Sequence, residues 1–312
     1  MPKPCITRRT MLTVASLSPL CNLASASSTE SNEPYALPDT AVHDVPDPKT
    51  GRKYQLWVEV PKSYKGSTSS VRFPVVFLTD APYAFPLVRS IRARVGQGGQ
   101  NIEDFVLVGL APAVGETSAT SRLRDYSPSN PLLRPQRKTD HYGGLAYGEA
   151  EQYREYLEQV AIPKLQSTYR IDMKRSIYIG HSYGGLFGAY TLLSSPSLFS
   201  RYALSSPSLW FDQRVMFAFE ASYAKSHRDL PAQLMMYCGS YETIRPEPRF
   251  YKDEDMVRDM KDFERILKGR RYPSLKVGSQ VVSDEDHFTV FPSVATRALL
   301  WALPGRGPYT SG

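Results

Sequence analysis

The segment Gly180-His181-Ser182-Tyr183-Gly184 sets a serine between two glycines, each two residues away. An apolar run, Ser176–Ile179, precedes it, and a small-residue apolar run, Leu186–Leu193, follows it. That pattern predicts a nucleophile elbow, in which a strand turns sharply into a helix and lifts the serine hydroxyl clear of the sheet. Only glycine two residues either side lets strand and helix approach closely enough. The amide of Tyr183, at the head of the helix, is then placed to hold an oxyanion.

A serine hydroxyl attacks an ester only when a base takes its proton. Five histidines are available. His43 precedes the core, His141 lies in a long loop, His227 sits in a charged link, and the His181 side chain is expected to turn away from the hydroxyl. His287 follows the last apolar strand pattern, Leu275–Val282, and so has the Ser…acid…His chain order of such enzymes. We take it as the base. The acid that orients the imidazole normally follows the strand after the nucleophile's helix. Glu242, four residues beyond the apolar run Leu234–Cys238, fits best, with Asp253, Asp255, Asp284 and Asp286 as competitors. A second oxyanion donor belongs to the turn after an early strand, Thr79-Asp80-Ala81-Pro82. Pro82 has no amide hydrogen, which leaves Ala81.

These residues need a frame to bring them together. Lys53–Val60 alternates as a strand does, and Phe73–Asp80 and Phe105–Leu110 are continuous apolar runs suited to strands buried on both faces. Helical spacing recurs over 153–165, 253–268 and 292–303. Strands alternating with helices predict an α/β fold with a mainly parallel central sheet and helices on both faces, over about residues 49–305. In such sheets sites lie beyond the carboxyl ends of strands, where Ser182 and His287 fall. A loop from Ala111 to Gly148 concentrates Arg122, Arg124, Arg134, Arg137 and Lys138.

The first 26 residues read as a signal peptide: Lys3, Arg8 and Arg9, then an apolar stretch from Met11 to Leu23, then Ala24-Ser25-Ala26. The Arg8-Arg9 pair resembles a twin-arginine signal, with the general secretory route as the alternative. The stretch is too short to span a bilayer, so no stable membrane insertion is expected after cleavage, and a periplasmic location follows. Residues 27–48, polar and Pro-rich, are expected to be an exposed lead-in. Loss of the signal lowers the net charge from +7 to +4, too little to argue for a nucleic-acid partner. It also leaves Cys238 as the sole cysteine, without a disulfide partner. No metal-ligand spacing is present, and neither metal nor cofactor is expected.

Several further segments carry a resemblance. Pro74–Asp80, Arg122-Leu123-Arg124-Asp125-Tyr126-Ser127-Pro128, Gly143-Gly144, Tyr169–Asp172 leading into the elbow, Ser205-Ser206-Pro207-Ser208-Leu209-Trp210 and Asp286-His287 together resemble the esterase-D-like family of α/β-hydrolases. Its members include esterases of trilactone siderophores such as enterobactin. The resemblance implies the α/β-hydrolase fold and ester hydrolysis through an acyl-enzyme, with a siderophore lactone as the nearest substrate. It departs where the family usually has Gly after the early aspartate and this chain has Ala81. Arg122 and Arg124 would then steer an anionic ferric siderophore, and Trp210 would form an aromatic wall. Two alternatives stand beside this reading: the same machinery on simple acyl, thio- or sugar esters, and an inactive homologue that binds a ligand without turnover.

Overall fold

A computed structural model describes residues 36–133 and 145–307. The compact unit Leu37–Gly312 is built on one eight-stranded sheet in the order β1-β2-β4-β3-β5-β6-β7-β8. The strands are β1 (Thr40–Pro46), β2 (Lys53–Glu59), β3 (Phe73–Leu78), β4 (Val106–Leu110), β5 (Ile171–His181), β6 (Arg201–Ser205), β7 (Gln233–Gly239) and β8 (Lys276–Val282). From β4 across to β8 every neighbouring pair is parallel, while β1–β2 and β2–β4 are antiparallel. This is the mainly parallel α/β sheet expected from the alternation of strand and helix patterns.

Side-chain alternation along the strands divides the core into two layers. In β3, Val75 and Phe77 join one layer and Val76 and Leu78 the other, and all four are fully buried. The first layer receives α4 (Ala150–Tyr156), α5 (Ile162–Thr168), α6 (Tyr183–Ser194), α7 (Phe211–Ser226) and α8 (Met256–Arg270). A π-helical turn, Leu157–Ala161, joins α4 to α5. The second layer receives α2 (Ala81–Val95) and α9 (Val290–Ala302). Short α1 (Lys62–Gly66) follows β2, and α3 (Ser118–Tyr126) packs against α4 and α6.

Three expectations change. The lead-in expected over 27–48 is only partly a lead-in, because Thr40–Pro46 is the sheet's edge strand, registered from Thr40 opposite Glu59 to Pro46 opposite Lys53. Its polar sequence hid it, since an edge strand is held by backbone bonds to one neighbour and buries little side chain. The turn at Asp80 opens into α2, a helix not foreseen, with Pro82 in its first turn, where a missing amide costs nothing. The long loop contains α3 between Ala111 and Gly148. The signal-peptide segment 1–26, His141, Arg134, Arg137 and Lys138 lie outside the described residues. Among the described residues no helix is long and apolar enough to cross a membrane.

Candidate active site

Strand β5 ends at His181 and α6 begins at Tyr183, with Ser182 between them at φ 57°, ψ −117°. A side chain in that backbone region is strained, and such outliers collect at functional sites. The flanking glycines are required by contact. A Cβ on Gly180 would lie 2.4 Å from the Gly184 carbonyl oxygen, and one on Gly184 would lie 2.3 Å from Thr79 Oγ1. The turn is anchored by the Ser182 amide donating to the Ser205 carbonyl at 2.9 Å. The Ser182 side chain is largely buried, and its hydroxyl lies 3.4 Å from Ser208 Oγ.

Glu242 stands in the turn after β7, and its side chain is wholly buried. Burying a carboxylate is costly unless its oxygens are paired. Here Oε1 accepts from Ser206 Oγ at 2.6 Å and from the Gly239 amide at 2.7 Å. Oε2 meets His287 Nδ1 at 2.8 Å. With Nδ1 donating to the carboxylate, Nε2 of His287 is left as the acceptor nitrogen. The loop that carries His287 is pressed onto β7: a Cβ on Gly239 would lie 2.3 Å from the Glu285 carbonyl oxygen. Asp286 closes the loop by accepting from the amides of Phe288 and Thr289. Burial, and after it the charge of Glu242, pushes the Cys238 thiol well up, so it remains an inert core residue.

Ala81 and Tyr183 occupy equivalent places. Each is the first residue of a helix, α2 or α6, and each follows a positive-φ residue, Asp80 at 56° or Ser182 at 57°. The first amides of a helix have no acceptor within their own helix, and the helix dipole favours negative charge there. Arg122 locks the two turns together. Its Nε donates to Asp80 Oδ1 at 2.9 Å, and a second guanidinium nitrogen reaches Asp80 Oδ2 and the His181 carbonyl, both at 3.2 Å.

Two cavities meet at Ser182 and His287. One of about 310 Å³ is lined also by Ser208, Trp210, Tyr251 and Lys252. The other, about 370 Å³, is lined also by Tyr83, Arg122, His181, Phe288 and Phe291. Trp210 and Arg122 therefore border the site. Arg124 does not. It is buried among Glu116 and Asp125, pairing with both, and lines neither cavity. Residues two apart on a helix point to different sides, so Arg122 and Arg124 of α3 could not both face the serine.

The contacts made by His181 and the serines of 205–208 are not foreseen from the sequence. The His181 ring, expected to turn away, lies with its centroid 4.6 Å from that of His287, and its Nδ1 is 3.0 Å from Ser205 Oγ. Burial first, then the neighbouring His287 and Arg122 charges, holds its pKa well below the usual imidazole value, so it is neutral. The one sequence signal for these residues was the run Ser205-Ser206-Pro207-Ser208, which periodicity alone reads as a turn. Among the described residues no group of three or more His, Cys, Asp or Glu side chains is placed to hold a metal ion.

The fold and this rim define an α/β-hydrolase with a serine elbow. The chain belongs to the family described as "Putative esterase", whose model matches residues 48–240. It is 23% identical to the ferri-bacillibactin esterase BesA of Bacillus subtilis, over 89% of this chain and 94% of that protein. It is 32% identical to the siderophore triacetylfusarinine C esterase of Aspergillus fumigatus, over 63% of this chain and 66% of that one. Among solved structures it is similar in fold to the siderophore hydrolase EstB from Aspergillus nidulans, with a TM-score of 0.72 at 20% identity, covering 87% of this chain and 98% of that chain.

Proposed function

We propose that this chain is an exported, periplasmic serine esterase that hydrolyses siderophore esters through an acyl-enzyme, with Ser182 as nucleophile, His287 as general base and Glu242 as the orienting acid. The observation that carries the reading is the pairing of His287 Nδ1 with buried Glu242 at 2.8 Å, on an imidazole that opens onto the same two cavities as Ser182. In the resting site the serine hydroxyl faces Ser208, and the proposed proton transfer requires a turn about its Cα–Cβ bond to bring it to His287 Nε2. Catalytic hydrogen bonds commonly tighten only once substrate is bound.

Ser182 Oγ attacks the ester carbonyl carbon while Nε2 takes the hydroxyl proton. The carbonyl oxygen becomes an oxyanion, held by the amides of Tyr183 and Ala81. Collapse breaks the bond to the alcohol oxygen, which leaves with the proton from His287. Water then repeats the sequence on the acyl-enzyme and frees the acid. Glu242 stabilises the imidazolium formed in each half. Support for the substrate class comes from the family and from relatives named for siderophore esters. Arg122 borders one of the two cavities and Lys252 the other, although the Arg122 guanidinium is already committed to Asp80. Export rests on the N-terminal pattern of Arg8-Arg9 and the apolar stretch behind it.

Fluorophosphonate labelling of wild type and Ser182→Ala tests the chemistry. An adduct at Ser182 in the wild type alone is expected, and a folded wild type that takes no label would sink the enzyme reading. Mass spectrometry of products from ferric and iron-free enterobactin, beside simple p-nitrophenyl esters, tests the substrate. Preference for a simple ester by orders of magnitude would remove the siderophore.

A further inference from the structure

The last residue of β6 and the loop after it carry three serines, and each touches a different part of the site. Ser205 Oγ lies 3.0 Å from His181 Nδ1, Ser206 Oγ donates to Glu242 Oε1 at 2.6 Å, and Ser208 Oγ lies 3.4 Å from Ser182 Oγ. Ser206 differs from the other two in its backbone. Its φ is 42°, a region that a side chain enters only at a cost in free energy and that glycine enters freely. It is wholly buried, and its amide donates to the Tyr237 carbonyl at 2.6 Å. Its successor, Pro207, sits so close to α6 that a Cβ on Gly185 would meet the Pro207 Cα at 2.8 Å. The loop is therefore packed between the elbow and the Glu242 turn without slack.

Glycine would suit this backbone better, yet a serine stands there, and its hydroxyl donates to the Glu242 carboxylate, with the Cys238 thiol as a second, weaker neighbour. We infer that Ser206 is a positioning residue: its hydroxyl commits Oε1 of Glu242 so that Oε2 stays on His287 Nδ1, and the strained backbone at 206 is retained for that hydroxyl. A carboxylate with one oxygen short of donors can turn about its terminal torsion or exchange its oxygens, and the imidazole then loses its fixed partner. Two neutral donors on Oε1, Ser206 Oγ and the Gly239 amide, prevent this without adding a competing charge. This inference rests on the reading of Ser182, His287 and Glu242 as a catalytic unit.

The test compares Ser206→Gly with Ser206→Ala, alone and in a Glu242→Gln background, reading melting temperature, kcat and KM on an activated ester. Ser206→Gly should melt no lower than Ser206→Ala, because it relieves the backbone. Both should lose about 10- to 100-fold in kcat, as expected for a hydrogen bond to a charged group. KM should stay within about twofold, since the bond acts only once charge develops on the imidazole. In the Glu242→Gln background either change should cost less than about threefold, because residues acting as one unit are not additive. Wild-type kcat in Ser206→Gly, or equal losses in both backgrounds, overturns the inference. Fluorophosphonate separates the two levels: no adduct on wild type defeats the enzyme reading and this inference with it. A labelled wild type beside a fully active Ser206→Gly defeats this inference alone.

Discussion

Two imidazoles lie side by side at the sheet's rim, tilted by 38°, and their surroundings differ. His181 closes β5; it is largely buried and its Nδ1 lies against a serine hydroxyl, not a carboxylate. His287 follows β8; it is partly open to both cavities and its Nδ1 meets a buried carboxylate. With centroids 4.6 Å apart they share much of one environment, so proximity to the serine does not make a base. The difference is the partner. A carboxylate stabilises the positive charge that a base acquires on taking a proton, and a hydroxyl beside a largely buried ring does not. His181 is held neutral and serves as a wall, leaving the proposed proton traffic to its neighbour.

The sharpest way to break that comparison is to remove His287. His287→Ala should lower kcat by up to about 10⁶-fold, as much as losing the whole catalytic unit. A modest loss, read by steady-state kinetics, would mean that the base lies elsewhere. Glu242→Gln keeps the shape and removes the charge, and about a 10⁴-fold loss in kcat is expected. Little change would leave a serine–histidine pair that works without its acid.

Arg122→Gln probes the frame beneath both rings. It strands the buried Asp80 carboxylate, and urea unfolding should report a loss of about 3–5 kcal/mol. Undiminished stability would show that the tie between β3 and β5 is ornamental. The smallest effect belongs to His181. Its folded pKa is depressed, so its contribution to stability is present above the unfolded value and is lost as pH falls below it, where the unfolded chain takes the proton first. Below about pH 6.5 this amounts to at most about 1.4 kcal/mol per pH unit. The pH slope of stability between 7.5 and 5.5 should flatten in His181→Gln; an unchanged slope would mean that burial does not hold the ring neutral.

Much of the rim was legible from local patterns. The elbow at Ser182 could be read because its steric demand falls on residues adjacent in the chain, Gly180 and Gly184. Strands β3, β4 and β7 could be read because strands buried on both faces need unbroken apolar runs. Edge strand β1 could not, since backbone pairing with β2 defines it and imposes little on its side chains. Arg124 was misassigned because a cluster of cations in sequence carries no information about which side of a helix each one faces. His181 and Ser206 were missed for a related reason: each acts on a residue that only the sheet brings alongside.

The sequence by itself determined the sheet's buried strands, the helices with a strong apolar stripe, the serine in its turn and the late histidine. These follow from interactions within a few residues of chain, where amino-acid type and spacing are the whole of the physics. Only the tertiary structure decided which carboxylate meets His287, which arginine borders the serine, and which hydroxyls hold the acid. Parallel strand order sets those pairings, and a parallel neighbour lies dozens of residues away, joined through a helix whose sequence says nothing of what stands opposite.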